Sequence, residues 1–357
     1  MAPDGLAPVF VPKAPGIGQA WRPGAMLCPM ADLANVFSWS RSRAGMFEEC
    51  RRRYYYHYYG AWGGWESNAS PDVRRLYVLK QLTGRQGWAG RTVHAAVELV
   101  LRALHAGEDL SETRLVEDAV RRMREEWRFS RRGGYRERPK EAVALFEHEY
   151  GVEVPDQAWQ VLRDHVCRCL RNFFRLPLLA EIRRTPPERW ILIEDVRAFE
   201  FEGTPIYAAP DFGYWTQDDR LALVDWKTGS PDPEATATQL GGYALYARDI
   251  LDVSPDRVDL LEVNLRAGEV TVHPWDVARL DEIRERLRLS IRGMKAWLRD
   301  ADANVAALED FERTEDLRLC RWCNFKAVCR PELLSEASGV AGPASADSAA
   351  ESRPLGV

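Results

Sequence analysis

Residues 208–229 read A-A-P-D-F-G-Y-W-T-Q-D-D-R-L-A-L-V-D-W-K-T-G, and they are the most informative part of the sequence. The run 221–227 is apolar until its end, which predicts a buried strand. Because alternate residues of a strand share a face, Asp225 and Lys227 lie side by side where this strand ends. Asp211 lies near the start of the preceding strand, so we expect the two carboxylates to meet at one sheet edge.

Charges at the end of an apolar strand are costly to bury unless they are paired or hold a metal. The two carboxylates can form an oxygen-rich pocket for a hard cation such as Mg²⁺ or Mn²⁺. Phosphodiester hydrolysis needs such a set, because the metal activates water and a nearby lysine stabilises developing negative charge. The alternative is a simple salt bridge between Asp225 and Lys227.

Two helices place further polar groups near this edge. The helix that follows the D-x-K motif carries Gln239, Tyr243 and Tyr246 on one face, at spacings of i, i+4 and i+7. Upstream, His94 and Glu98 lie one turn apart on another helix. An imidazole and a carboxylate on one face suit a metal site or a polar relay, although a lone helical histidine can equally be a core residue.

Hydrophobic periodicity along the rest of the chain gives the fold class. It predicts helices at 88–105, 111–127, 156–174, 234–250 and 275–298, and strands at 190–199, 206–215, 221–227, 258–265 and 269–273. Helices followed by strands, a helix and two more strands predict an α/β fold with a mixed central sheet flanked by helices.

We divide the chain into a flexible leader (1–36), one domain (37–333) and a disordered tail (334–357), which has too few large apolar residues to order. Within the domain we distinguish a mainly helical part, a catalytic α/β core and a cysteine-rich segment, which span 37–185, 186–300 and 311–330. The helical part is interpreted as an N-terminal insertion.

Composition narrows the function classes. The chain has 357 residues, 46% of them hydrophobic, and a net charge of −5. No apolar run reaches about 18 residues, so no membrane helix is expected. The N-terminus does not resemble a secretory signal, which favours the cytoplasm. A basic stretch at 121–140 is either a nucleic-acid contact or a solvated helix face. No G-x-x-x-x-G-K-[ST] motif occurs, so any motor belongs to another chain.

Seven cysteines in a cytoplasmic chain favour metal or redox chemistry over disulfides. Cys320, Cys323 and Cys329 form C-x₂-C-x₅-C, and three thiolates need a fourth ligand from elsewhere. Cys50 is the best candidate, and Cys28 is the alternative. The spacing alone does not separate an iron–sulfur cluster from Zn²⁺ or from buried thiols. Cys167 and Cys169 lie at i and i+2 on an apolar helix and are interpreted as packing residues.

The motifs occur in the order G-x-x-x-H (90–94), P-D (210–211), D-x-K-T-G (225–229) and Q-x-x-x-Y (239–243). Together with S-W-S-R-S-R-A-G-M-F-E-E-C-R-R-R-Y-Y-Y at 38–56, this series resembles the RecB-like branch of the PD-(D/E)xK nucleases. The resemblance covers roughly residues 37 to 330. It implies a restriction-endonuclease-like core.

The resemblance also implies a metal site and assigns roles within it. His94, Asp211 and Asp225 would bind Mg²⁺ or Mn²⁺ with the backbone carbonyl of Trp226. Glu194, in the strand before Asp211, is an outer-shell candidate.

The same resemblance implies that Lys227 positions or activates the nucleophilic water, while Gln239 and Tyr243 support the site and contact the nucleic-acid strand. Members with an iron–sulfur cluster share the layout of one early and three late cysteines. This implies a [4Fe–4S] cluster, with Zn²⁺ as the alternative, bound by Cys50, Cys320, Cys323 and Cys329.

The function implied is a metal-dependent DNA exonuclease that acts on single-stranded or end-frayed DNA in repair, recombination or phage defence. Its partners would be DNA and a separate helicase or integrase chain, with no membrane. The alternatives are a CRISPR-adaptation-type nuclease that trims DNA, and an inactive nuclease-fold subunit that only binds DNA.

Overall fold

A computed structural model describes residues 34–194, 197–208, 210–230 and 232–334. The predicted tail beyond Leu334 and nearly all of the predicted leader lie outside these residues. Within them, no helix is long and apolar enough to cross a membrane.

A five-stranded sheet forms the centre of the described domain. The strands in the described residues are β1 (Leu82–Thr83), β2 (Ala144–Leu145), β3 (Trp190–Ile193), β4 (Arg197–Phe201), β5 (Thr204–Ala208), β6 (Phe212–Trp215), β7 (Leu221–Lys227), β8 (Val258–Asn264) and β9 (Glu269–His273). The order across the main sheet is β3-β6-β7-β8-β9. Among the described strands of this sheet, β7 and β8 pair in parallel and the other neighbours pair antiparallel, so the predicted mixed sheet is confirmed.

Helices precede, interrupt and follow the sheet. They are α1 (Arg41–Glu49), α2 (Arg51–Tyr55), α3 (Pro71–Lys80), α4 (Arg85–His105), α5 (Glu112–Arg131), α6 (Phe146–Glu149), α7 (Asp156–Arg175), α8 (Pro177–Arg184), α9 (Pro233–Asp249), α10 (Val277–Lys295), α11 (Leu317–Arg321) and α12 (Lys326–Cys329). The long helices agree with the predicted ones to within a few residues.

The side chains of β7 alternate between two helical layers. Val224 and Trp226 belong to a core shared with α4, α5, α7 and α8. Leu221 and Leu223 belong to a second core shared with α1, α9 and α10. The N-terminal helices therefore form one face of the catalytic core, because their apolar stripes cover the sheet. Asp225 and Lys227 follow the alternation of Leu221 and Leu223, toward α9.

Two predicted strands are each divided. The predicted strand 190–199 breaks after Ile193, because Glu194 adopts a left-handed conformation with φ of 48°. The predicted strand 206–215 breaks before Pro210, which has no N–H to donate to a ladder. The second half of the first predicted strand is β4, and the first half of the second is β5. These two strands pair with each other as a separate hairpin. A predicted turn at Ala267-Gly268 joins β8 and β9, as expected.

The cysteine-rich segment packs against the beginning of the domain. The N–H of Arg52 donates to the carbonyl of Glu312 at 3.0 Å, and Asn324 Nδ2 donates to the carbonyl of Leu82 at 2.8 Å. Phe325 and Tyr56 are buried in one small core. This contact brings α2 and the C-terminal cysteines together across most of the sequence.

Two adjacent glycines in α9 provide a matched test of how closely this helix packs against its neighbours. A Cβ on Gly241 would lie 2.7 Å from Ile283 Cδ1 and 3.1 Å from Trp275, whereas a Cβ on Gly242 meets nothing nearer than 3.7 Å. We expect Gly241→Ala to lower the free energy of unfolding by about 1–3 kcal/mol through overpacking. Gly242→Ala should be neutral or stabilise by up to about 1 kcal/mol through helix propensity.

Urea unfolding of both variants measures the difference. Equal stabilities would show that α9 does not approach α10 as closely as described.

Candidate active site

Asp211 is fixed by hydrogen bonds to the neighbouring strand. Its N–H donates to the carbonyl of Val224 at 3.0 Å, and its Oδ2 accepts the N–H of Trp226 at 2.6 Å. Both bonds reach β7, although Asp211 itself precedes β6. One carboxylate oxygen is therefore used to hold the side chain, and Oδ1 is left to face α4.

His94, Glu194 and Asp211 form a compact group with the chemistry of a metal site. His94 Nδ1 lies 3.4 Å from Asp211 Oδ1 and 3.3 Å from Glu194 Oε1. One ligand atom from each residue lies within 4.8 Å of the other two, and all three residues are half-buried. One imidazole nitrogen and two carboxylate oxygens can hold a divalent cation.

Glu98 does not take the place suggested by its spacing from His94. It accepts a hydrogen bond from Arg102 Nε at 2.7 Å and is not a member of the group. Glu194 supplies the acid instead. Its N–H donates to the carbonyl of Asp211 at 2.7 Å, and its left-handed backbone ends β3 beside His94. A non-glycine residue in this conformation stores local strain, which is common at functional sites.

Asp225 and Lys227 form a second polar group next to the first. Lys227 Nζ lies 2.7 Å from Asp225 Oδ2 and donates to Gln239 Oε1 at 2.5 Å. Asp225 Oδ1 accepts from Gln239 Nε2 at 2.7 Å and from the Tyr243 hydroxyl at 2.9 Å. The predicted stripe on α9 therefore supplies Gln239 and Tyr243 to the site, while Tyr246 lies in the core.

Asp225 is buried and paired on both of its oxygens. It is 2% exposed, and its Oδ2 forms an ion pair with Lys227 Nζ at 2.7 Å. Asp225 is not part of the group formed by His94, Glu194 and Asp211. Its predicted role as a metal ligand, and that of the Trp226 carbonyl, stay predictions.

The pKa values reflect this crowding of acids. Burial raises the pKa of Asp225, and the nearby charge of Asp211 raises it further. Burial also raises the pKa of Glu194. Burial opposes the charged form of His94, but hydrogen bonds to Asp211 and Glu194 outweigh it and raise the pKa of His94 to about 10. Without a bound cation, a protonated His94 would balance part of the negative charge of these carboxylates.

The four predicted cofactor cysteines line one cavity, although Cys50 is distant in sequence from the other three. Cys50 also caps α2, where its Sγ accepts the N–H of Arg53 at 3.5 Å. Burial raises the pKa of the Cys323 thiol to about 11, and Cys50 and Cys329 contribute to the rise. Cys28 lies outside the described residues.

Cys167 and Cys169 are buried in the core between the sheet and α4, as predicted for packing residues.

A mixed sheet with two acids and a lysine at the ends of adjoining strands defines a restriction-endonuclease-like nuclease fold. The family model of the PD-(D/E)XK nuclease superfamily matches residues 38–330. The chain therefore belongs to the PD-(D/E)XK nuclease superfamily, whose members are metal-dependent nucleases. No match was found among curated proteins.

The raised pKa of His94 predicts how the stability of the metal-free protein depends on pH. The folded protein binds this proton more tightly than the unfolded chain, whose histidine pKa is about 6.5. The stabilisation is therefore complete below about pH 6.5 and is lost as the pH rises through about 10. Urea unfolding in chelator between pH 6 and pH 10 should show this fall.

His94→Gln should flatten the profile, whereas His105→Gln, on the same helix, should keep the wild-type shape. A wild-type profile that His94→Gln leaves unchanged would contradict the assignment.

Proposed function

We propose that this chain is a deoxyribonuclease that hydrolyses phosphodiester bonds with Mg²⁺ or Mn²⁺ bound by His94, Glu194 and Asp211. The convergence of three ligand atoms within 4.8 Å carries the proposal. When bound, the cation neutralises charge on the phosphate and lowers the pKa of a bound water. Asp225 is adjacent and adds a carboxylate that can join the coordination.

Lys227 has the setting expected of a residue that acts on the attacking water. Asp225 and Gln239 hold its ammonium group from two sides, which fixes its position before substrate arrives. Its side chain is 30% exposed, so it stays accessible to a phosphate. A fixed cation beside the reacting phosphate stabilises the negative charge that develops during hydrolysis. Tyr243 and Gln239 position Asp225 and Lys227 rather than take part in bond breaking.

The finer proposal is an exonuclease that acts on single-stranded or end-frayed DNA, as the resemblance to the RecB-like branch implies. The intact group of acids and lysine favours an active enzyme over a subunit that only binds DNA. Digestion of strands labelled at the 5′ or the 3′ end distinguishes stepwise removal of nucleotides from internal cleavage. Cleavage of a circular single strand, which has no ends, would show that the enzyme is an endonuclease rather than an exonuclease.

Lys227→Met should reduce the rate of cleavage by at least about a hundredfold, because the transition state loses a fixed positive charge. The measurement is Mg²⁺- or Mn²⁺-dependent release of nucleotides from a labelled single strand. Lys295→Met, which removes a half-buried lysine at the end of α10 and outside the site, should cleave like the wild type.

Circular dichroism verifies that both variants fold. Undiminished cleavage by folded Lys227→Met would refute the proposed active site.

The cysteine cavity is proposed to hold a [4Fe–4S] cluster. A tetrahedral Zn²⁺ with Zn–S bonds of about 2.3 Å would bring the sulfurs to about 3.8 Å from each other. In the described residues, the cysteines do not form a group of three or more with ligand atoms within 4.8 Å. A cubane cluster bonds each thiolate to a different iron and so suits sulfurs that are further apart.

The charge around the cavity supports an anionic occupant. Lys326 lines it and is 4% exposed. Its Nζ donates to the carbonyl of Arg321 at 3.2 Å and lies over the Tyr150 ring, but no carboxylate of the described chain pairs with it. A buried ammonium group is costly without a negative partner, and four thiolates around a cluster would provide one.

Cys323→Ser should remove the iron and the brown colour and lower the free energy of unfolding. A cluster that closes the chain between Cys50 and Cys320 contributes on the order of 5 kcal/mol by analogy with cross-links. Anaerobic purification, a visible spectrum and iron and zinc assays measure the content. Cys169→Ser, which alters a buried packing cysteine, should retain the iron.

If the wild-type protein is colourless and contains stoichiometric zinc, the four cysteines bind Zn²⁺ and the proposed cluster is wrong. Full stability of Cys323→Ser would refute the stabilising role.

A further inference from the structure

The loop after Lys227 lies between two helices on the α4 side of the sheet. A Cβ on Gly90 of α4 would lie 3.3 Å from Thr228 Oγ1, so the bare helix surface approaches the loop closely. At the β8–β9 turn, Arg266 Nη1 donates to Ser230 Oγ of this loop at 3.3 Å. Asn172 of α7 donates to the carbonyls of Leu265 and Arg266 at 2.9 Å and 3.1 Å. The loop, α4, α7 and the β8–β9 turn therefore meet beside the catalytic lysine.

Arg91 is an exposed cation on this part of α4. It lies three residues before His94, which places both side chains on neighbouring positions of one helix face. Arg91 makes no hydrogen bond or ion pair with any described residue. Burial lowers the pKa of Arg91, and the charge of Glu126 opposes that shift. Glu126 is itself bonded to Trp88 Nε1 at 2.7 Å and Arg122 Nε at 2.6 Å. The positive charge of Arg91 is available to a ligand.

Arg168 provides a second available cation on α7. It is exposed and makes no hydrogen bond or ion pair within the described chain. Burial lowers the pKa of His165, nearby Arg266 and Arg168 lower it further, and the Thr228 backbone contacts the same ring. Arg168 and Arg266 therefore both lie near the loop that follows Lys227.

A second groove on the opposite face of the sheet is less suited to an anion. Exposed Arg286 and half-buried Arg41 line it without hydrogen-bond or ion-pair partners in the described residues. However, Glu48 lies in the same groove, and Glu262 and Glu282 line the adjoining one. These acids oppose the approach of a polyanion.

We propose that Arg91 and Arg168 form a cationic rim that binds the phosphates of a single nucleic-acid strand next to the scissile bond. The rim rests on the proposed function, because it locates the substrate of that same site. Guanidinium groups bind phosphate oxygens without reading bases, so binding at the rim is independent of sequence.

The test is binding of a fluorescein-labelled oligothymidylate strand to the full-length protein in EDTA, which prevents hydrolysis. Fluorescence anisotropy gives the dissociation constant over a series of salt concentrations. For Arg91→Gln with Arg168→Gln, we expect binding at least about tenfold weaker. The slope of log K against log salt should fall by about 1.4, since each single-strand phosphate contact contributes about 0.7.

Two matched double variants act as controls. Arg41→Gln with Arg286→Gln removes the same charge from the opposite groove and should bind within about twofold of the wild type. Arg91→Lys with Arg168→Lys keeps the charge and should retain the wild-type slope. If both double glutamine variants lose the same affinity for the strand, the effect is one of general charge and the proposal is overturned. A loss of affinity confined to the Arg41 and Arg286 variant would also overturn it.

Cleavage with Mg²⁺ or Mn²⁺ is assayed on the same wild-type preparation. If the wild type cleaves and the Arg91 and Arg168 glutamine double binds normally, the rim is refuted and the nuclease stands. If the wild type binds through the rim but does not cleave, the proposed activity is refuted and the rim stands.

Discussion

The hydrogen bond from the Trp226 N–H to Asp211 Oδ2 is the contact on which the site depends. Trp226 faces the α4 layer, while its neighbours Asp225 and Lys227 face α9. The N–H of Trp226 lies between Asp225 and Lys227 along the backbone. Its bond to Asp211 therefore joins the group of His94, Glu194 and Asp211 to the group of Asp225 and Lys227 at one end of the sheet. It also turns Asp211 Oδ1 toward His94. Without it, the Asp211 carboxylate would lose its fixed position relative to Asp225, although the backbones of the two strands would stay paired.

This arrangement collects more negative charge than the protein can balance with its own groups. Asp211, Asp225 and Glu194 are close enough to influence each other, and Lys227 and a protonated His94 are the cations among them. The strained backbone of Glu194 adds to the cost. Such an excess is destabilising in an empty site and favours tight binding of a divalent cation, which is how a metal-dependent site gains affinity.

The sequence predicted the parts of the site that depend on simple periodicity. Asp225 and Lys227 follow from the two-residue period of a strand, and Gln239 and Tyr243 follow from the helical repeat. Glu194 was named only as an outer-shell candidate, because its place depends on a left-handed turn that ends β3. The division of two predicted strands has the same origin, since local backbone breaks at Glu194 and Pro210 do not alter hydrophobic periodicity. The left-handed glutamate has no signal in a single sequence.

The most direct test of the central claim is the position of Mn²⁺ in crystals soaked with it, located by anomalous scattering. We expect a peak about 2.0–2.3 Å from the ligand atoms of His94, Glu194 and Asp211. A peak that makes no contact with Asp211, or no peak at the sheet end at saturating Mn²⁺, would contradict it.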